Sequence, residues 1–164
     1  MDWHPLLRAL LLHLQIWERD GKEPPHSRLF PLRIVRGDPN VLPPPKQAPG
    51  ALMQVPMQDA DGNDRGGVAL PDHAVPLGTN LDQNPPLNDF LCTLSGGFKP
   101  FAATKGARIA SGDPRLSLEE RYGNRTGYLE RVRDANARLI AEGLLLPEDA
   151  RVIEEEAARI AEFE

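Results

Sequence analysis

From Gly112 to Ala150 the chain reads GDPRLSLEERYGNRTGYLERVRDANARLIAEGLLLPEDA, and here start signals, stop signals and helical period all agree. Gly112, Asp113 and Pro114 make a turn cluster, because glycine and proline punctuate structure and aspartate can close an Asx-turn. Ser117 stands three residues before Glu120, the capping-box spacing in which a hydroxyl and a carboxylate each serve an orphan amide. Gly123 ends that short helix. A second helix is expected from about Arg125, with Tyr128, Leu129, Val132, Leu139 and Ile140 on one face and Gly143 as its stop. Pro147 then starts a third helix, where a missing N–H costs nothing, with Glu148 and Asp149 at the positive end of its dipole. Ala150, Ile153, Ala157 and Ile160 form its apolar stripe. The spacing therefore predicts a paired-helix tail, a scaffold that carries no chemistry of its own.

The other end of the chain predicts a helix as well. Asp2 can cap a helix running to about Arg19, closed by Asp20-Gly21. Trp3, Leu6, Leu7, Leu10, Leu14 and Trp17 line one face, and Leu11, Leu12 and Ile16 widen the stripe. Burying a large apolar side chain is worth roughly 1.5–3 kcal/mol, so so broad a surface needs covering on more than one side. The run Leu6–Leu12 is too short to span a membrane, and no signal peptide follows Met1. A protein partner or a further domain is the expected cover, in preference to a membrane surface.

Between these ends, Lys22–Pro56 is a proline-rich connection, extended or polyproline-like, with a short strand around Leu32–Val35. Asp59-Ala60-Asp61-Gly62-Asn63 resembles a calcium loop at first sight. The EF-hand needs glycine at position six and glutamate at twelve, whereas here glycine is fourth and Leu70 twelfth. Asp61-Gly62 is instead expected to be a tight turn between strands Leu52–Met57 and Val68–Leu77. Asn80–Ser111 is expected to be loop-rich, with a short helix near Leu87–Leu94 and an irregular Phe98–Phe101 segment. Asn124-Arg125-Thr126 falls between two helices and is read as a chance sequon.

Candidate catalytic residues are few. A serine hydrolase needs its nucleophile on a sharp strand-to-helix elbow, spelled G-x-S-x-G. None of Ser27, Ser95, Ser111 and Ser117 has that frame; Ser95, before Gly96-Gly97, comes nearest. His13 is expected to be structural, His4 and His26 stand in no catalytic pattern, and Asp72-His73 lacks a nucleophile to serve. Cys92 is the single cysteine, which excludes a disulfide framework and paired-thiolate metal sites. No H-E-x-x-H spacing proposes zinc. No catalytic, cofactor-binding or metal-ligating residue is therefore assigned, and no cofactor is expected. The net charge of −5 argues against nucleic acid or an anionic membrane as partner, since phosphate binding needs clustered Lys and Arg. With 5% aromatic residues and 17 prolines in 164, the chain has thin material for an independent core.

Three stretches together resemble the bacterial alpha/beta hydrolase domain-containing proteins. The first is Pro5-Leu6-Leu7-Arg8-Ala9-Leu10-Leu11, continuing to Trp17-Glu18-Arg19-Asp20-Gly21 and Pro24-Pro25. The second is Asp59-Ala60-Asp61-Gly62-Asn63, through Arg65-Gly66-Gly67 to Leu70-Pro71 and Val75-Pro76-Leu77. The third is Gly112-Asp113-Pro114-Arg115 with Ser117-Leu118-Glu119-Glu120-Arg121-Tyr122-Gly123 and Leu144-Leu145-Leu146-Pro147-Glu148-Asp149. The chain departs from that family at Asn80-Leu81-Asp82-Gln83-Asn84, where a Gly-Trp-Asn-like run is usual, so no role is carried to this loop.

The resemblance implies that full-length relatives are several times longer and that this chain matches their C-terminal part. Nucleophile, acid and histidine follow one another in that order in alpha/beta hydrolases, and all three are expected ahead of Trp3. The implied function is a non-catalytic C-terminal portion of an esterase- or lipase-like serine hydrolase. It would brace an upstream catalytic alpha/beta hydrolase domain, in the same or a separate chain. The alternative is a free-standing helical interaction module that docks a partner through its apolar N-terminal helix. The expected fold is a mixed α/β fragment, mostly helix and coil, with an N-terminal helix, one strand pair and a C-terminal helical pair. Its parts are a helix over 1–21, a proline-rich connection over 22–56, a strand and loop region over 57–111, and a helical tail over 112–164.

Overall fold

The computed structural model describes residues 2–36, 52–81, 96–160 and 163. In chain order the elements are α1 (His4–Asp20), β1 (Leu32–Arg36), β2 (Leu52–Pro56), α2 (Pro71–Ala74) and β3 (Gly78–Leu81). They are followed by β4 (Gly97–Pro100), α3 (Lys105–Ser111), α4 (Leu118–Tyr122), α5 (Arg125–Ala141) and α6 (Pro147–Ala157). The chain is mixed α/β, mostly helix and coil, as expected. Two antiparallel strand pairs, β1–β2 and β3–β4, stand among the described residues. The helix expected near Leu87–Leu94, Cys92, Ser95 and the Pro43–Pro45 run lie outside them.

The elements form two compact units, one from Met1–Arg28, Val68–Leu77 and Phe101–Glu164, the other from Leu29–Gly67 and Gly78–Pro100. The first unit is helical. Asp2 Oδ1 accepts the His4 amide at 2.9 Å, Pro5 occupies the first turn, and Gly21 closes α1 at φ 68° with its amide on the Trp17 carbonyl. Asn124 caps α5 by accepting the Gly127 amide, and Pro147 opens α6. Helices α5 and α6 pack against each other through Val132, Ala135, Ile153 and Ala157, with Tyr128 and Val75 in the same cluster. A second cluster joins Leu6, Leu70, Leu139, Leu144, Leu145 and Ala150. Buried Asn136 ties the two helices by donating to the Ala150 carbonyl and to Glu154 Oε1, both at 3.2 Å.

The capping box at the head of α4 is complete. Ser117 Oγ accepts the Glu120 amide, and the Ser117 amide donates to Glu120 Oε2. Arg108, on α3, forks onto the same carboxylate at 2.7 and 3.1 Å. The Ser117 amide first, then the Arg108 guanidinium, hold the Glu120 carboxyl at about 2, down from 4.5. A carboxyl depressed in the folded state adds stability above its unfolded pKa and loses it as pH falls through the folded one. Wild-type Tm is therefore expected to drop between pH 4.5 and about 2. Glu120→Gln is expected to flatten that slope and to lower Tm at neutral pH; parallel slopes for the two proteins would contradict it.

Helix α3 is absent from the sequence-based expectation. Its start is signalled only by Thr104, whose hydroxyl accepts the Ala107 amide, and its end by Gly112 at φ 67°. Seven residues with none buried leave no apolar period to read.

In the second unit, Leu52–Pro56 pairs with Leu32–Arg36, register Leu32↔Pro56 to Arg36↔Leu52, and not with Val68–Leu77 as expected. The reason is Pro71 and Pro76: proline cannot donate to a ladder. Pro71 instead starts the short helix α2, where the His73 and Ala74 amides reach the Leu70 carbonyl. The Phe98–Phe101 segment, expected to be irregular, contains strand β4, paired with β3 from Gly78↔Pro100 to Leu81↔Gly97. A Cβ on Gly78 would lie 2.5 Å from the Lys99 carbonyl oxygen, so this pairing needs glycine there. The expected turn is present: the Gly62 amide donates to the Asp59 carbonyl, and Asp59 Oδ1 accepts the Asp61 and Asn63 amides, each at 2.9 Å. Asn63, buried, accepts the Asn80 amide at 2.9 Å and donates to the Gly78 carbonyl, which ties the turn to β3.

Gly66 carries a further constraint, with φ +92° and a hypothetical Cβ 2.5 Å from Pro31 Cδ and 2.9 Å from the Leu29 carbonyl. Gly66→Ala combines a disfavoured backbone with a clash, and strain of this kind costs about 1–3 kcal/mol. Amide exchange in β1 and β2 is expected to accelerate in that variant while exchange in α5 stays unchanged. Equal protection in both strands would refute the constraint.

Candidate functional site

The apolar residues of α1 divide between two faces. Leu6 and Ala9 are buried, and this side is pinned by polar contacts. His13 Nε2 donates to the Gly143 carbonyl at 2.7 Å, which makes it a structural histidine. Arg8 holds the buried Asp149 carboxylate through Nε at 3.1 Å and through a second, closer contact. Asp149 sits in the first turn of α6, where the helix dipole also favours its charge.

The adjoining face is bare. Trp3, Leu7, Leu10, Leu11, Leu14 and Trp17 fall within about 120° of the helix circumference at 100° per residue. Leu7, Leu11 and Leu14 are 53%, 61% and 55% exposed, and the two tryptophans about half exposed. At about 1.5 Å per residue, Trp3 to Trp17 makes a strip roughly 21 Å long. Exposed leucines scattered singly need no explanation, but a contiguous strip is a candidate contact surface. Covering the remaining half of six such side chains would be worth on the order of 5 kcal/mol. No helix among the described residues is long and apolar enough to cross a membrane.

The other residues considered from the sequence are dispersed. Ser27 lies exposed in coil, Ser111 donates to the Arg108 carbonyl at the end of α3, and Ser117 is wholly buried and committed to its capping box. His4 is exposed and bonded to Asp2; His26 is exposed; His73 is half-buried in α2. Among the described residues, no cluster of three His, Cys, Asp or Glu side chains could hold a metal.

Sequence reasoning missed a groove in the helical unit, about 860 Å³ in volume, bounded by α2, α4 and α5. Val75, Pro76 and Tyr122 give it an apolar wall, and Arg131, Asp134 and Arg138 border it from α5. The Tyr122 hydroxyl donates to the Pro76 carbonyl at 2.7 Å and so fixes that wall. Beside it, the Arg115 and Arg121 guanidinium carbons lie over the Phe101 ring, 5.0 and 4.0 Å from its centroid. Nothing in the sequence period signals the groove, because its sides come from three separated segments.

No curated protein and no solved structure matches the chain. Residues 1–155 match the family model described as alpha/beta hydrolase domain, a span that takes in every helix above except the last two residues of α6. On that match, the chain belongs to the alpha/beta hydrolase domain family.

Proposed function

We infer that this chain is the non-catalytic C-terminal portion of an esterase-like serine hydrolase and braces the catalytic domain. The observation that carries this reading is the bare strip of α1, beside an adjoining face that is packed and polar-pinned. A helix whose apolar stripe is too broad for one neighbour to cover is suited to touch two bodies, one of which is the helical unit. Two further facts support it. No serine in the chain has the G-x-S-x-G frame that exposes a hydrolase nucleophile. The family match supports a link to alpha/beta hydrolases.

The test is the nucleotide sequence upstream of the Met1 codon, followed by co-expression of whatever it encodes. A hydrolase-like frame with G-x-S-x-G and a later histidine is expected. Its product should co-purify with this chain, and only that product should be labelled by a fluorophosphonate probe. Robust labelling of a serine in this chain would overturn the non-catalytic assignment. An unrelated upstream gene, with a stable complex between this chain and an unrelated protein through α1, would favour a free-standing docking module instead.

A further inference from the structure

Along the groove edge, α5 presents plus, minus, plus: Arg131, Asp134 and Arg138 lie within about 60° of one another at 100° per residue. Among the described residues, the side chains of Arg131 and Asp134 make no hydrogen bond or ion pair. Arg138 spends only Nε, on the Asp134 carbonyl at 3.3 Å. The Glu120 carboxylate, which also borders the groove, is already taken by Ser117 and Arg108. It therefore does not neutralise the α5 arginines. In a chain of net charge −5 this edge carries one net positive charge, and apolar residues line the same groove.

The spacing of the edge limits what fits it. Arg131 and Arg138 are seven residues apart, about 10.5 Å along the helix axis. A polyproline-II segment repeats every three residues with a rise of about 3.1 Å, which puts every third side chain on one side about 9 Å apart. Long arginine side chains take up the difference, and their guanidinium forks suit carboxylates. The groove is walled by helices, which offer no strand edge, and a polyproline-II backbone needs none. Asp134, midway, disfavours a third carboxylate between the two.

We propose that this groove binds an extended acidic peptide segment in which two carboxylates, three residues apart, pair with Arg131 and Arg138. The intervening apolar residues of the segment lie on the Val75, Pro76 and Tyr122 wall. This role stands apart from the bracing role of α1 and uses different residues.

The probe is a fluorescein-labelled, end-capped peptide Pro-Glu-Pro-Pro-Glu-Pro, titrated with the full chain at low salt and followed by anisotropy. Saturable binding is expected, weakened by added salt and about tenfold weaker in the Arg131→Glu, Arg138→Glu double variant. Both positions are exposed, so far-UV dichroism and Tm should not change; if they do, the double glutamine variant carries the comparison. A peptide of the same composition with its two glutamates adjacent should bind more weakly. Absence of saturable binding, equal binding by the double variant, or indifference to glutamate spacing would each overturn the proposal. So would displacement by an oligonucleotide of equal affinity, which would assign the groove to phosphate.

Discussion

Replacing Leu7 and Leu14 together by glutamate is expected, under the bracing role proposed above, to abolish capture of an upstream catalytic domain and to leave the isolated chain folded. Both residues are more than half exposed, and surface substitutions of this kind usually move stability by no more than about 0.5 kcal/mol. In a complex each leucine would contribute roughly 1.5–3 kcal/mol, and each new carboxylate would have to be desolvated besides. A combined loss of roughly 4 kcal/mol or more corresponds to about a thousandfold in Kd. Titration calorimetry with the upstream domain measures the first half of the expectation, and thermal melting of the chain alone measures the second. Leu6→Ala is the counterpart on the packed face: it should lower Tm. Undiminished binding by the double glutamate variant would remove α1 from the interface.

Val132→Asp should have the largest effect on the helical unit. Val132 is 1% exposed and packs in the cluster with Val75, Tyr128, Ala135 and Ala157. An uncompensated buried charge costs roughly 3–5 kcal/mol, a large share of a domain's usual 5–15 kcal/mol. Melting of the α5–α6 pair should shift accordingly, and moderate acid should restore part of it, since burial raises the new carboxyl's pKa and protonation removes the charge. Val132→Ala, which only deletes methyls, should cost far less. A melt of the aspartate variant that matched the alanine variant at neutral pH would show that this position is reached by water.

The helical tail was legible because its information is local. Ser117 and Glu120 are three residues apart, Gly123 and Gly143 stand where chain direction changes, and Pro147 sits in a first turn. The strands were not legible, because their partners are far away. Leu52–Pro56 alternates no more clearly than Val68–Leu77, and only the prolines at 71 and 76 distinguish the false partner from Leu32–Arg36. The constraint at Gly78 was likewise present in the sequence but unreadable without knowing that Lys99 and Pro100 approach it. The bare strip of α1 was half legible: its breadth is written in the spacing of its leucines, whereas the side that Leu6 and Ala9 bury depends on Leu139, Leu144 and Leu145. The groove bounded by α2, α4 and α5 left no local trace, since three segments make it.

The core cluster that joins Leu6 to Leu139 also sets a timetable. During synthesis α1 leaves the ribosome long before its packing partners exist, and 133 residues separate Leu6 from Leu139. At roughly 5–20 residues per second, the helix waits on the order of ten seconds with both apolar faces in water. Contacts of such long sequence separation close late and slowly. A helix exposed in this way offers the kind of apolar surface that invites aggregation during synthesis, and yield in cells is expected to depend on translation speed more than on final stability. When the tail arrives, Leu6 and Ala9 are covered and the strip from Trp3 to Trp17 stays in water.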